Sequence, residues 1–338
     1  MFKSATTVVL LVLGLAAAST ACGSDGAQSL TIYSGRSEKL VGPIFEAFTA
    51  ETGIDVEVKY GSSSDMALAL ETEGGKTPAD IFLSRSPGPT GYLNDLGLLA
   101  RIEDDVLVRV ETGNRSDDGR WIGFAGRARV LVYNIDQVTE DELPDSIFDL
   151  TGPEYEGFVA IPSANSSFQD WFTVFRLRNG DDVAIQWLND MVANGARSYP
   201  KNRAIVEATS RGEVQFGLVN HYYNHQEVKK NGEIQRSANH GFAPGDDGGL
   251  MIIATASVLK SSDAKGLANR FLTFLLSDVQ QRYLTDNVFE YPLAIGVSPA
   301  KQLPKRPADT VGAVDVGDMA AQFTRTIEII ETSGILDQ

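Results

Sequence analysis

The chain has 338 residues, enough for about two domains that each bury a core at ~150 residues per domain. Hydrophobic residues make up 43% and charged residues 22%, which excludes both a disordered chain and a multi-span membrane protein. With 29 Lys+Arg against 45 Asp+Glu, a formal net charge of -16 would repel a phosphate backbone, so nucleic acid is excluded as a partner. The single cysteine, Cys22, permits no internal disulfide.

Residues 1–21 read as a signal peptide: Met1-Phe2-Lys3 is a basic start, Val8 to Leu15 is apolar, and Ala16-Ala17-Ala18 are small. The apolar run is shorter than the ~20 residues a membrane span needs. Ser19-Thr20-Ala21-Cys22-Gly23 resembles a bacterial lipobox, with Ser19 where that pattern prefers Leu. The resemblance implies lipidation of Cys22, a tether over residues 22–29, and a mature protein held on the outer side of the cytoplasmic membrane, or free in the periplasm.

Beyond the tether, Leu30 to Tyr33 predicts a strand, and Leu40, Val41, Ile44, Phe45 and Phe48 follow at helical spacing. Pro43 suggests that the main helix starts near Gly42, after a separate first turn over Ser37 to Val41. Ile54 to Tyr60 alternate as a strand, Met66 to Glu73 is helical, and Ala79 to Leu83 is a buried strand, which gives βαβαβ. Leu131 to Tyr133 and Gly157 to Ile161 are further strands. Helices are expected near Phe168 to Leu177, Val183 to Val192 and Arg203 to Arg211, and Val214 to Val219 is strand again. The expected fold is α/β and two-lobed, each lobe a mixed, mostly parallel sheet flanked by helices. No linker separates the halves, so the chain should cross between lobes more than once and hold its site in the cleft.

Motifs for serine, zinc, phosphate-loop and dinucleotide chemistry are lacking. One segment carries chemistry instead: Asn220-His221-Tyr222-Tyr223-Asn224-His225, directly after the strand Val214 to Val219. Strand ends of open α/β sheets point into the cleft, and paired phenols there suit a hard trivalent cation that can deprotonate them. Arg36 precedes the first helix, so its guanidinium and the helix N-terminus would share an anion. Asn165, Ser166 and Ser167 are expected to cap the next lobe's first helix or to donate to that anion. Gln169 is a weaker candidate, Arg129 is read as facing away from Arg127, and His221 and His225 are expected to support the site without ligating.

At this point the chain resembles the ferric-iron-binding proteins of bacterial iron ABC importers, of the periplasmic-binding-protein type II class. The matching stretches, in order, are Ile32 to Glu38, Thr77 to Phe82, Gly126 to Val130, Asn202 to Val206, Gly212-Glu213, Asn220 to Tyr223 and Glu290 to Leu293. The resemblance implies a lobe of residues 30–127 plus 253–303, a second of 128–252 plus 304–338, and a hinge between them. It also implies ferric iron as cargo, Tyr222 and Tyr223 as ligands, and Arg36 and Arg127 as the clamp on carbonate, bicarbonate or a similar anion. Ser37, Arg85 and Phe168 stand where relatives place further donors, and Ser37, Arg85 and Asn220 join the cleft candidates. A permease partner, a monomeric state and the absence of catalysis follow from the same resemblance. The alternatives are a phosphonate-like anion carrier without metal and a secreted hydrolase with His221 as base.

Overall fold

The computed structural model describes residues 28–304 and 316–338; the expected signal peptide, Cys22 and most of the expected tether lie outside them. The first lobe opens with β1 (Ser29–Ser34), α1 (Glu38–Thr52), β2 (Asp55–Tyr60), α2 (Ser63–Glu73), β3 (Ile81–Ser84), α3 (Pro87–Asp95) and the short α4 (Asp104–Leu107). A long strand, β4 (Ile122–Asn134), leads into β5 (Val159–Ile161), α5 (Ser166–Asn179), α6 (Asp181–Ala193), β6 (Arg197–Ser198), α7 (Asn202–Ser210), β7 (Phe216–Asn220), α8 (His221–Asn231) and β8 (Ser237–His240). The chain returns through β9 (Met251–Val258), α9 (Lys265–Leu275), α10 (Asp278–Tyr283) and β10 (Tyr291–Pro292), and ends in α11 (Val316–Thr332). No helix of the described residues is long and apolar enough to cross a membrane.

The strands form one curled sheet in the order β2-β1-β3-β9-β4-β7-β5-β6, with β8 and β10 also on β4. Its two halves meet within β4. Residues up to Ala128 pair with β9, whereas Arg129 to Tyr133 pair with β7, so one strand serves both lobes. The expected excess of parallel pairing is confined to the outer strands: β1 is parallel to β2 and β3, and β5 to β6 and β7. Around β4 and β9 every pairing is antiparallel, because those strands arrive from the opposite lobe and not through a helical crossover.

Helix α1 is continuous from Glu38, so the expected break before Gly42 is corrected: Pro43 sits inside, and the buried face of Val41, Ile44, Phe45 and Phe48 holds the helix together. These residues share a core with Leu30, Ile32, Ile81 and Phe271. In the second lobe, Phe168, Trp171, Phe172 and Phe175 recur at helical spacing on α5 and are fully buried against Trp187. Each such ring contributes about 1.5–3 kcal/mol on leaving water. This packing fixes the axis of α5 and aims its N-terminus along the cleft.

Helix α7 lies against β7 through Gly217, where an added Cβ would come within 2.1 Å of Ile205 Cγ2. Overpacking of this kind costs about 1–3 kcal/mol. Gly217→Ala is therefore expected to lower the unfolding free energy by that amount, read by chemical denaturation.

Candidate metal centre

Four helices start where strands of the two lobes end: α1 after β1, α3 after β3, α5 after β5 and α8 after β7. Their free N–H groups and dipoles favour negative charge between the lobes. Gly35 lets this geometry close. A Cβ there would lie 2.9 Å from the Ser63 Cα, so only glycine allows α2 to approach the end of β1. Ser63 Oγ in turn accepts the Arg85 N–H at 2.9 Å.

Tyr222 and Tyr223 form the first turn of α8, with ring centroids 4.3 Å apart. Tyr222 is 5% exposed and packs with Met251 and, from the other lobe, with Ile253, Phe289 and Tyr291, whereas Tyr223 is half-buried. Burial, and then the neighbouring phenol of Tyr223, raises the Tyr222 pKa far above its ordinary value, so without a cation Tyr222 keeps its proton. The Arg203 guanidinium stands 5.7 Å over the Tyr223 ring.

Arg36 is buried, and its Nη2 lies 2.5 Å from Glu290 Oε1, a carboxylate with no exposure of its own. The desolvation that lowers the Arg36 pKa is outweighed by Glu290, with smaller contributions from Tyr222 and Tyr223, and the net direction is up. Arg127, also buried, donates to the Arg85 carbonyl, and desolvation followed by repulsion from Arg36 lowers its pKa. Its Nε and Nη1 have no hydrogen-bond partner among the described residues. Arg85 reaches across the cleft to donate to Ser166 Oγ, so the lobes touch in this structure.

Asn165 caps α5 by accepting the Ser167 N–H at 3.0 Å, the role expected of it, and Ser167 Oγ donates to the same oxygen at 2.8 Å. Ser166 faces Arg85. Asn220 is buried at the end of β7, and its N–H donates to Asn202 Oδ1 at 2.9 Å. Ser37 is exposed and makes no side-chain cap bond, and Gln169 is half-buried with one long contact to the Ala164 carbonyl.

Two expectations are corrected, and one residue is added. Arg129 does not turn away: residues two apart on a strand share a face, and its guanidinium donates to the Ser167 carbonyl and Asn202 Oδ1. Desolvation, then Arg127, pushes its pKa down to about 9. Phe168 lies on the core face of α5, 5.4 Å from Trp171, so it is not a vacated ligand position in the cleft. Asp170 was missed altogether. It is buried, its pKa is raised by desolvation against the pull of Arg85 and Arg127, and Ser86 from the first lobe donates to it.

His221 is fully buried, and its Nδ1 accepts the Ala128 N–H at 3.2 Å. Burial holds its pKa at about 3, so it is neutral and supports the site from behind. His225 is likewise pushed down by burial and packs 5.7 Å from Phe289. No three His, Cys, Asp or Glu side chains gather into a metal-holding group among the described residues. The oxygen donors on hand are phenols and the two buried acids.

Comparison with known proteins agrees with this chemistry. A Serratia marcescens "Fe(3+)-binding periplasmic protein" is 30% identical over 97% of both chains. The Synechocystis "Iron uptake protein A1" is 30% identical over 80% of this chain and 77% of its own. Among solved structures, iron-bound HitA from Pseudomonas aeruginosa superposes with a TM-score of 0.83 at 29% identity, covering 91% of this chain and 99% of that one. Residues 76–315 match the bacterial extracellular solute-binding protein family. By fold and by sequence, the chain belongs to the bacterial extracellular solute-binding proteins, in the company of their ferric-iron-binding periplasmic members.

Proposed function

We propose that the protein captures ferric iron outside the cytoplasmic membrane, together with an oxygen anion, and presents it to the permease of an ABC importer. The observation that carries this reading is the pair of phenols 4.3 Å apart at the start of α8, facing buried guanidinium groups with unpartnered donors. Tyr222 and Tyr223 would bind the ion as phenolates, leaving about four positions of an octahedral sphere. Carbonate, bicarbonate or a chelator's carboxylates would fill them, held by Arg36 and Arg127, with Arg85, Ser166, Ser167 and Asn220 at the rim. The iron-binding Serratia relative and the iron-bound HitA support the cargo.

The lobes proposed to close on that cargo are residues 30–127 plus 253–303 and residues 128–252 plus 304–338, and the change of partners within β4 supports a hinge there. Closure is a population shift, because Arg36 and the tyrosines come from different lobes. A lipid on Cys22 would hold the monomer near its permease. Solute binding is favoured over hydrolysis because His221, the one base offered for catalysis, is buried, neutral and already accepting a backbone N–H.

The test is to add ferric salt with bicarbonate to metal-free protein. A visible phenolate-to-iron charge-transfer band at one ion per chain is expected. A colourless protein that nevertheless binds phosphonate would overturn the iron reading in favour of an anion carrier.

A further inference from the structure

Around the tyrosines, besides the Arg203–Glu227 pair of α7 and α8, four arginines face two acids. Arg36, Arg127 and Arg129 are buried and Arg85 is half-buried; Glu290 pairs with Arg36, and Asp170 lies within electrostatic reach of the other three. A cleft that only had to seize an anion would keep such guanidinium groups free. Here Glu290 already occupies Arg36, and its second oxygen, Oε2, is buried without a hydrogen-bond partner. Asp170 Oδ2 is in the same condition. An incoming carboxylate or phosphate would meet these two unpaired carboxylate oxygens and would have to share or displace Glu290 on Arg36.

We infer that Glu290, seconded by Asp170, sets the specificity of the cleft by refusing bare anions, so that an anion enters only in company with a trivalent cation. This deepens the iron reading proposed above and rests on it. Specificity here is a difference of affinities. Extracytoplasmic fluid holds free anions in large excess over ferric iron, and an unopposed arginine cluster would fill with them. A ferric ion adds three positive charges and direct metal–oxygen bonds, whereas the two phenolates it creates return only two negative charges. The balance then tips toward the anion, and Glu290 no longer prevents Arg36 from contacting it.

Glu290 acts here through Arg36 as a positioning residue. Its removal should therefore produce a gain that mere structural damage cannot.

The experiment is calorimetric titration of iron-free protein with inorganic phosphate and, separately, with citrate. The wild type should bind both weakly. Glu290→Gln should bind them about tenfold to a hundredfold more tightly, the effect of one unit charge at short range in a partly screened site. Asp170→Asn, which leaves the Arg36–Glu290 pair intact, should show a gain of the same sign and decides the matter if Glu290→Gln does not fold. Tight iron-free binding by the wild type, or no gain in whichever of these variants fold, overturns the proposal. Because these titrations contain no metal, failure of the iron reading shows separately, as wild-type protein that stays colourless with ferric salt and bicarbonate.

Discussion

Tyr222→Phe and Tyr223→Phe are each expected to abolish the charge-transfer band or to weaken ferric retention by more than about a hundredfold, since even groups behind the ligands of metal sites are worth ~10–100-fold. The fold should survive. Each ring still packs, Tyr222 against Met251 and Phe289, and the lost hydroxyl should cost no more than about 1–1.5 kcal/mol. Acid should mimic the substitutions. Burial and the neighbouring phenol hold the Tyr222 pKa far above its ordinary value, so the metal-free Tyr222 phenol is protonated throughout the working range. Each phenolate formed on binding releases a proton, and retention must fall as pH falls. The measurements are visible absorbance and competition with a chelator of known affinity, run across pH on wild type and both variants. Unchanged affinity in both variants would remove the phenols from the coordination sphere.

The tyrosines were legible because their signal is local: a mostly apolar strand, Val214 to Val219, delivers Asn220-His221-Tyr222-Tyr223 to its end, and the structure starts α8 there. Arg36 was legible for the same reason, standing between β1 and α1. Glu290 was not read as part of the site, although it lay in a recognised stretch, because its partner is 254 residues away and the two meet only after the chain has returned through β9. Asp170 is hidden by its neighbours. It lies among Phe168, Trp171 and Phe172, and a one-residue change in helical phase separates a core position from a cleft position. Strand β4 was read as the three residues Leu131 to Tyr133 because Gly123, Gly126, Arg127 and Arg129 break its apolar pattern. Those residues belong to the passage between lobes, where neighbouring chain packs tightly on Gly123 and Gly126 and the Arg127 and Arg129 guanidinium groups are buried.

Arg36→Ala and Arg127→Ala are both expected to blunt the dependence of iron affinity on added bicarbonate or citrate, but they should part company in stability. The difference lies in what each leaves behind. Removing Arg36 strands Glu290, a carboxylate with no exposure and no other ion-pair partner among the described residues, and breaking a buried pair from one side costs about 3–5 kcal/mol. Arg127 has no acid paired to it. Its loss gives up a hydrogen bond to the Arg85 carbonyl and relieves repulsion with Arg36, Arg85 and Arg129, so stability should change by no more than about 1 kcal/mol or should rise. Arg127→Ala is therefore the cleaner probe of the anion clamp: denaturation midpoint near wild type, iron affinity reduced in bicarbonate, and little further loss when the buffer is stripped of anions. Arg36→Ala should show the same blunted response on a destabilised protein. Wild-type protein that holds ferric ion equally well without bicarbonate or citrate would mean that protein oxygens complete the sphere. Glu290 and Asp170, buried carboxylates beside the arginine cluster that each have an oxygen without a hydrogen-bond partner, would then be the first side chains to test as ligands.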